Sequence, residues 1–436
     1  MSVAINRSIQ ISASSSLLSN KPGKHPPYNG KILKNPLRLL AISNYPSDTR
    51  PVNQVFVRAM LLELASRGVD VTVIAPESFS NLAKTGTKFR LAPSFELRDG
   101  LPIHRPRYLT LSNISLPFGI RTSRWGGKAY INAALRVVKE KNKQFDVCMG
   151  HFLSPHGRAA ARIGQQLDIP SVVSLGESSF ERHDFAYSQQ EISQLFDQFA
   201  GVIVNSDLIK EHCVQRYSLE ETKTRVFPNG VDEKHFYPRD RKLAREQLGL
   251  PLEQPILISV GQFIERKGPL RVLEAIESRP DIGVVFLGHG PQEPKGPQIL
   301  FKGAVPHEDI PTWLSAADAF VLPTLDEGCS NAILEALFCG LPVVSSDLPF
   351  NHSILNKDVA ILVDPLNIDS ISNAIFELID NPERMEKMRH AALKHAKAFR
   401  LADRAEKIEM FLRQCVEEYS PDERPFYSLA QEYSIS

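Results

Sequence analysis

The chain has 436 residues, 42% of them hydrophobic and 23% charged. That is a globular composition of roughly two to four domains, which excludes a disordered polymer or a fibre. The formal net charge of +1 conceals a split: residues 1–200 carry 25 Lys+Arg against 14 Asp+Glu, residues 201–436 carry 26 against 36. A basic first half and an acidic second half suggest different partners for each, short of the one-signed field of a nucleic-acid binder.

Residues 1–36 are rich in Ser, Lys and Pro, and no acid precedes Asp48. The segment reads as a flexible tail, although an acid-free start also matches a transit peptide. It has no apolar block of the kind a secretory signal needs, and no run of about 18 apolar residues follows anywhere. The five cysteines lie far apart without a CxxC pair, which argues against a zinc site and a disulfide framework. The expected location is cytoplasmic.

From Leu37 the pattern becomes strand, helix, strand. LRLLAIS is a short apolar run. Val57, Met60, Leu61 and Leu64 then recur at helical spacing up to Gly68, and VDVTVIAP alternates. That is a βαβ unit and implies a parallel sheet. Strand-like runs return at 145–150, 170–175 and 200–206, and after Pro238 at 255–261, 282–288, 318–323, 341–346 and 359–363. Two α/β blocks fit better than one sheet of more than ten strands. The expected organisation is a tail (1–36), a first Rossmann-like domain (37–222), a second (223–399), a crossover helix (400–418) and a tail (419–436). Residues 367–416 read as consecutive helices.

Open parallel sheets bind ligands beyond the carboxyl ends of their strands, so the chemistry should lie in the loops that follow strands. After DAFVLP the polar loop Asp326-Glu327-Gly328-Cys329-Ser330 leads into a helix over Asn331–Phe338, with Ser330 at its N-cap and Gly340 past its end. Backbone N–H groups at such a start suit an anion, while Glu327 and Glu335 are acceptors suited to hydroxyl groups. Phosphate donors beside hydroxyl acceptors describe a nucleotide-sugar; two solvated glutamates on a capped helix are the plain alternative. After PILISVG, the loop GQFIERKGPL brings Arg266 and Lys267 to a second helix start at Gly268-Pro269, again suited to phosphate.

These blocks resemble retaining glycosyltransferases of family 4, the group 1 glycosyltransferases, whose GT-B fold is two facing Rossmann-like domains. Glu327 and Glu335, seven residues between them, match the family's signature. FPNGVD (227–232), SVGQFIERKG (259–268), FLGHGP (286–291) and FKGAVPHEDIPTWLSAADAFVLPT (301–324) follow the family's order. YPS at Tyr45, SRGVDVTVIAP and FDVCMGHFLSPHG match more loosely. The resemblance covers about 37–416.

It implies a metal-independent, retaining transfer with no cofactor, from a UDP- or GDP-linked sugar to a saccharide or lipid-linked saccharide, as in polysaccharide or glycolipid synthesis. Glu335 would bind the ribose and Glu327 a sugar hydroxyl. The N–H groups of Gly328, Cys329, Ser330 and Asn331 would meet sugar and diphosphate, and Lys267 would neutralise the leaving diphosphate. The backbone of the loop from Gly303 to Val305 would hold the base. His151, with His156 nearby, flanks the cleft, and the last helix would cross back to the first domain. The chain departs from the family at Gln262 (usually Arg, with Arg266 as the nearest replacement), at Gly176-Glu177 (usually His-Gly) and at Pro51–Gln54 (usually a glycine-rich loop). Glu177 and Asn53 are therefore expected on the acceptor side. The same departures motivate a second reading, a catalytically silent GT-B partner subunit. A dehydrogenase is set aside because no GxGxxG follows the first strand. Finally, GGKAYINAALRVVKEKNK pairs an apolar stripe (Ala129, Ile131, Ala134, Val137, Val138) and Trp125 with Arg121, Arg124, Lys128, Arg136, Lys139, Lys141 and Lys143. Such a helix suits peripheral contact with an anionic membrane, at its inner face.

Overall fold

The structure, a computed structural model, describes residues 36–51, 53–79, 91–110, 122–140, 144–177 and 180–420, all within one compact unit. The expected tails at 1–36 and 419–436 lie almost wholly outside these residues. Ten strands belong to the first half: β1 Arg38–Ile42, β2 Asp70–Ile74, β3 Glu77–Ser78, β4 Phe95–Arg98, β5 Leu101–His104, β6 Arg107–Tyr108, β7 Val147–His151, β8 Ser171–Leu175, β9 Gly201–Val204 and β10 Thr224–Val226. Eight form one sheet in the order β10-β9-β8-β7-β1-β2-β5-β4, parallel except for β4. Because β10 pairs with β9, the first sheet runs past residue 222 to Val226.

The second half supplies β11 Ile256–Val260, β12 Gly283–Leu287, β13 Ile299–Gly303, β14 Ala319–Leu322, β15 Val343–Ser346 and β16 Ala360–Val363. Their order, β13-β12-β11-β14-β15-β16, is the doubly wound Rossmann arrangement. The sequence reverses direction between β11 and β14, as it does between β1 and β7 in the first sheet. Loops that leave those neighbouring strands diverge to opposite faces and open a crevice. Both β11 and β14 are almost wholly buried, which explains their unbroken apolar runs. The edge strand β13 is half-exposed and carries Lys302, so its pattern is too weak to read from sequence.

The last helix, Leu401–Glu417, returns to the first domain. Its Leu401, Ala405, Ile408, Phe411, Leu412 and Cys415 share one apolar cluster with Val57, Met60, Leu61 and Leu64 of the helix Val55–Ser66. Arg67 reinforces the contact through Glu409 at 2.9 Å. The helix also seals β9, where a Cβ at Gly201 would lie 2.7 Å from both Cys415 Sγ and the Phe411 ring.

The basic helix Thr122–Glu140 does not offer the amphipathic membrane face expected of it. Ile131, Ala134 and Val138, with Tyr130, are buried in a cluster with Leu40, Ile42 and Ile163. The stripe belongs to the core because the helix covers one face of the sheet. On the outward side Trp125 is half exposed, while Arg124 is held by Glu191 and Arg136 by the Arg107 carbonyl. Arg121, Lys141 and Lys143 lie outside the described residues. Among the described residues, no helix is long and apolar enough to cross a membrane.

The Gly201 contact is testable. Gly201→Ala should lower the unfolding free energy by about 1–3 kcal/mol through overpacking against Phe411 and Cys415. A lower urea midpoint at unchanged m-value would register the loss.

Candidate active site

The loop after β14 is built from buried polar anchors. Ser345 Oγ donates to the Leu322 carbonyl at 2.7 Å, and Asn351 Nδ2 to the Ser346 carbonyl at 2.8 Å. They fix the strand end from which Thr324 reaches Glu327 at 3.2 Å. Glu327 is 9% exposed, accepts from Thr324 Oγ1 and the Lys267 ammonium, and pairs in charge with Arg266 at 3.6 Å. Its carboxylate is thus held in one orientation by charge and hydrogen bonding together. The helix that follows spans Asn331–Phe338 as expected, but Ser330 sits at its N-cap without a side-chain hydrogen bond to it. The first-turn N–H groups therefore have no side-chain cap, which leaves them suited to an anion.

One turn in, Glu335 meets His307 Nε2 at 3.3 Å. His307, just beyond β13, stacks on His235 with ring centroids 5.9 Å apart. Val305 of the same loop packs against the core of this domain. Sequence reasoning missed His307, whose only signal was its place in a block already singled out.

The loop after β11 is brought beside these residues. Lys267 lies against Gly261 and reaches Glu327, joining the two residues expected to share the chemistry. Close backbone approach shapes this corner: a Cβ at Gly288 would fall 1.9 Å from the Gly261 carbonyl, and one at Gly290 2.4 Å from that of Phe263. Two expectations need correction. Arg266 does not replace the missing cation at Gln262. Its guanidinium is tied to the Asp326 carbonyl and Glu327, and its own carbonyl accepts from Leu325 N at 2.8 Å. Nor is the helix start at Gly268 an anion cradle. Arg271 covers it, donating to the carbonyls of Glu265 (3.0 Å) and Pro323 (2.9 Å). Gln262 itself is exposed.

Across the junction, Gly328 lies against the first domain. A Cβ there would be 2.9 Å from the Glu177 carbonyl and 3.3 Å from Asn205 Nδ2. Glu177 is not free for an acceptor, contrary to expectation. Its carboxylate accepts from Leu153 N (2.6 Å) and Gly176 N (2.9 Å) and faces His183 at 3.3 Å. It clamps the loop after β7 to the end of β8, because those N–H groups have no strand partner. Gln54, the last residue of the Pro51–Gln54 departure, adopts a left-handed backbone (φ 52°) and accepts from Ser43 Oγ at 2.6 Å. That bond offsets conformational strain that glycine would not incur.

His151 ends β7 and lines a pocket with Phe152, Gly176, Asn229, Asn331 and Arg404. Burial first, then the nearby Arg404 charge, pushes its pKa down to about 3. Asn53 lies apart from it, in a second cavity. Arg404 was also missed. It interrupts the apolar face Leu401-Ala405-Ile408 of the last helix, the one trace of it in the sequence. Its Nη1 donates to Asn229 Oδ1 at 2.6 Å, and Asn229 Nδ2 donates to the Cys329 carbonyl at 2.9 Å. FPNGVD is therefore a structural joint that links the crossover helix to the loop before Asn331. Burial pulls Arg404 down to about 10 and pushes the Cys329 thiol up to about 11.

Comparison with known proteins fits this architecture. Residues 240–395 match the family Glycosyl transferases group 1, and residues 54–235 match Glycosyltransferase Family 4. TuaC of Bacillus subtilis, named as a teichuronic acid biosynthesis glycosyltransferase, is 29% identical over 78% of this chain and 88% of its own. An Escherichia coli UDP-Gal:alpha-D-GlcNAc-diphosphoundecaprenol alpha-1,3-galactosyltransferase is 31% identical over 46% of this chain and 56% of its own. Among solved structures, sucrose-phosphate synthase from Thermosynechococcus elongatus superposes with TM-score 0.69 at 19% identity, covering 88% of this chain and all of that one. Anabaena HepE in complex with UDP and glucose gives 0.66 at 18%, covering 87% and all of its chain. The chain belongs to the group 1 glycosyltransferases and has the GT-B fold.

His151 and His156, pushed down to about 3 and about 4 chiefly by burial, make stability depend on pH. Unfolding returns each to about 6.5, so below that pH the unfolded chain binds protons that the folded chain does not. Stability should fall as pH drops from about 6.5 towards 4, by up to about 1.4 kcal/mol per pH unit for each ring. His151→Gln should flatten that slope in urea unfolding at several pH values, and an unchanged slope would refute it.

Proposed function

We propose that this glycosyltransferase moves a sugar, with retention at the anomeric carbon, from a UDP- or GDP-linked donor to a saccharide or lipid-linked saccharide. The observation that carries the reading is the convergence of Lys267 and Glu327 beside the uncapped start of the helix that bears Glu335. Cation, N–H donors and two carboxylates supply complementary contacts for diphosphate, sugar and ribose. In this reading the bond from the anomeric carbon to the diphosphate oxygen breaks. The acceptor oxygen bonds to the same face, and its proton passes to the departing phosphate oxygen. Lys267 and the helix start offset the developing charge, so the reaction calls for no metal. Lys267 must then divide its charge between Glu327 and the diphosphate, which couples sugar recognition to leaving-group stabilisation.

The lipid-linked acceptor is supported by the printed activity of the Escherichia coli relative. Such an acceptor would bring a cytoplasmic protein to the inner face of the membrane.

Calorimetry with UDP-glucose and GDP-mannose tests the donor site. Glu335→Ala should weaken the nucleotide-sugar that binds by about ten-fold or more, since a charged acceptor contributes about 1.5–3 kcal/mol. Unchanged affinity would remove Glu335 from the ribose site.

Gln262 is exposed, so Gln262→Arg should fold normally and tighten donor binding by a few-fold through an added phosphate cation. A large loss of affinity would instead reveal a specific contact made by the glutamine.

A further inference from the structure

Glu335 is only half free. Its Oε1 lies 3.3 Å from His307 Nε2, and a carboxylate oxygen accepts, so that ring nitrogen carries the proton. Among the described residues no group bonds to Oε2, which is nevertheless not enclosed, although the side chain as a whole is only 13% exposed. One oxygen is pinned and the other is left for a ligand. Without the histidine, the carboxylate could turn about its last bond, whose torsion is broad and two-fold, and present either oxygen.

The imidazole is braced in its turn. It stacks on His235 with centroids 5.9 Å apart, and the Phe236 ring meets it edge to face at 5.3 Å. Phe236 is 3% exposed and shares an apolar cluster with Leu334 and Leu337 of the Glu335 helix. Asp232, the last residue of FPNGVD, delivers both rings. Its carbonyl accepts from His235 N at 3.0 Å and from Phe236 N at 2.9 Å, and its carboxylate accepts from Lys234 N at 3.0 Å. On the other side, His307 opens the helical turn His307–Asp309, two residues past Val305. The loop expected to hold the base and the carboxylate expected to hold the ribose therefore meet at this one ring.

We propose that His307 is a positioning residue for the donor's ribose: it holds Oε1 of Glu335 so that Oε2 meets a ribose hydroxyl, while His235 and Phe236 fix the imidazole. The inference rests on the reading of Glu335 as the ribose contact. Calorimetry on the full chain with UDP and GDP, each beside its 2′-deoxy and 3′-deoxy forms, tests it. The nucleotide that binds should be held about ten-fold or more tightly than at least one of its deoxy forms, the size of a hydrogen bond to a charged group. His307→Phe keeps a ring in the stack but removes the Nε2 donor. It should weaken the ribose form by about five-fold and leave that deoxy form within about two-fold, so that the preference collapses. His307→Gln, whose amide can donate to Oε1, should restore most of the preference. In a Glu335→Ala background His307→Phe should change affinity by less than about two-fold, because the ring acts only through that carboxylate.

A ring that merely supports the fold would behave otherwise, weakening ribose and deoxy forms alike in both backgrounds. That result, or tighter ribose binding in His307→Phe, would overturn the proposal. If Glu335→Ala erases the preference and His307→Phe keeps it, Glu335 remains the ribose contact and the positioning role fails. If the preference survives Glu335→Ala, the ribose reading itself fails and takes the positioning role with it.

Discussion

The architecture of the site turns on Asn229. Its side chain accepts from Arg404 of the last helix and donates to the carbonyl of Cys329, two residues before the helix that bears Glu335. The last helix is packed into the first domain by its apolar face, whereas Cys329 belongs to the core of the second. One amide thus links a residue anchored in one domain to the loop that the other presents. Gly328 completes the junction, because only a residue without Cβ lets that loop lie against the Glu177 carbonyl. Displacing one domain would strain both contacts, so the geometry of that loop depends on how the two domains are seated.

Much of this was legible in the sequence, and the limits have physical causes. Buried parallel strands such as β11 and β14 are unbroken apolar runs because both faces are covered, and the helix Asn331–Phe338 was fixed by its polar start and by Gly340. Strand β13 was not visible because an edge strand buries little. The roles of Arg266 and Glu177 were misjudged for another reason. Each has the chemistry of a ligand contact, but each lies within reach of backbone groups that lack partners, and those local contacts claimed the side chain. Sequence gives residue type and spacing; it does not say whether a charge is already satisfied. Arg404 and His307 show the converse, side chains brought to the site by chain segments distant from the glutamate signature.

The loss of the family's glycine-rich loop is less drastic than its sequence suggests. Gln54 holds a left-handed backbone, a conformation glycine adopts without strain, with Ser43 donating to its side chain. A similar exchange occurs at Gly176-Glu177, where a carboxylate now clamps the loop that carries His151 and His156. Both changes fall on the first domain, and neither touches Glu327, Lys267 or Glu335.

That distribution bears on the choice between an active transferase and a silent partner subunit. A protein freed from catalysis has no reason to keep a buried carboxylate among Lys267, Arg266 and Thr324, since burying charged groups costs several kcal/mol per ion before pairing offsets it. A well-packed apolar group would serve stability as well. The second domain keeps this arrangement, with an uncapped helix start beside it, and gives up one exposed cation at Gln262. A costly charged arrangement in the second domain, with the departures from the family pattern concentrated in the first, favours the active transferase over the silent partner subunit.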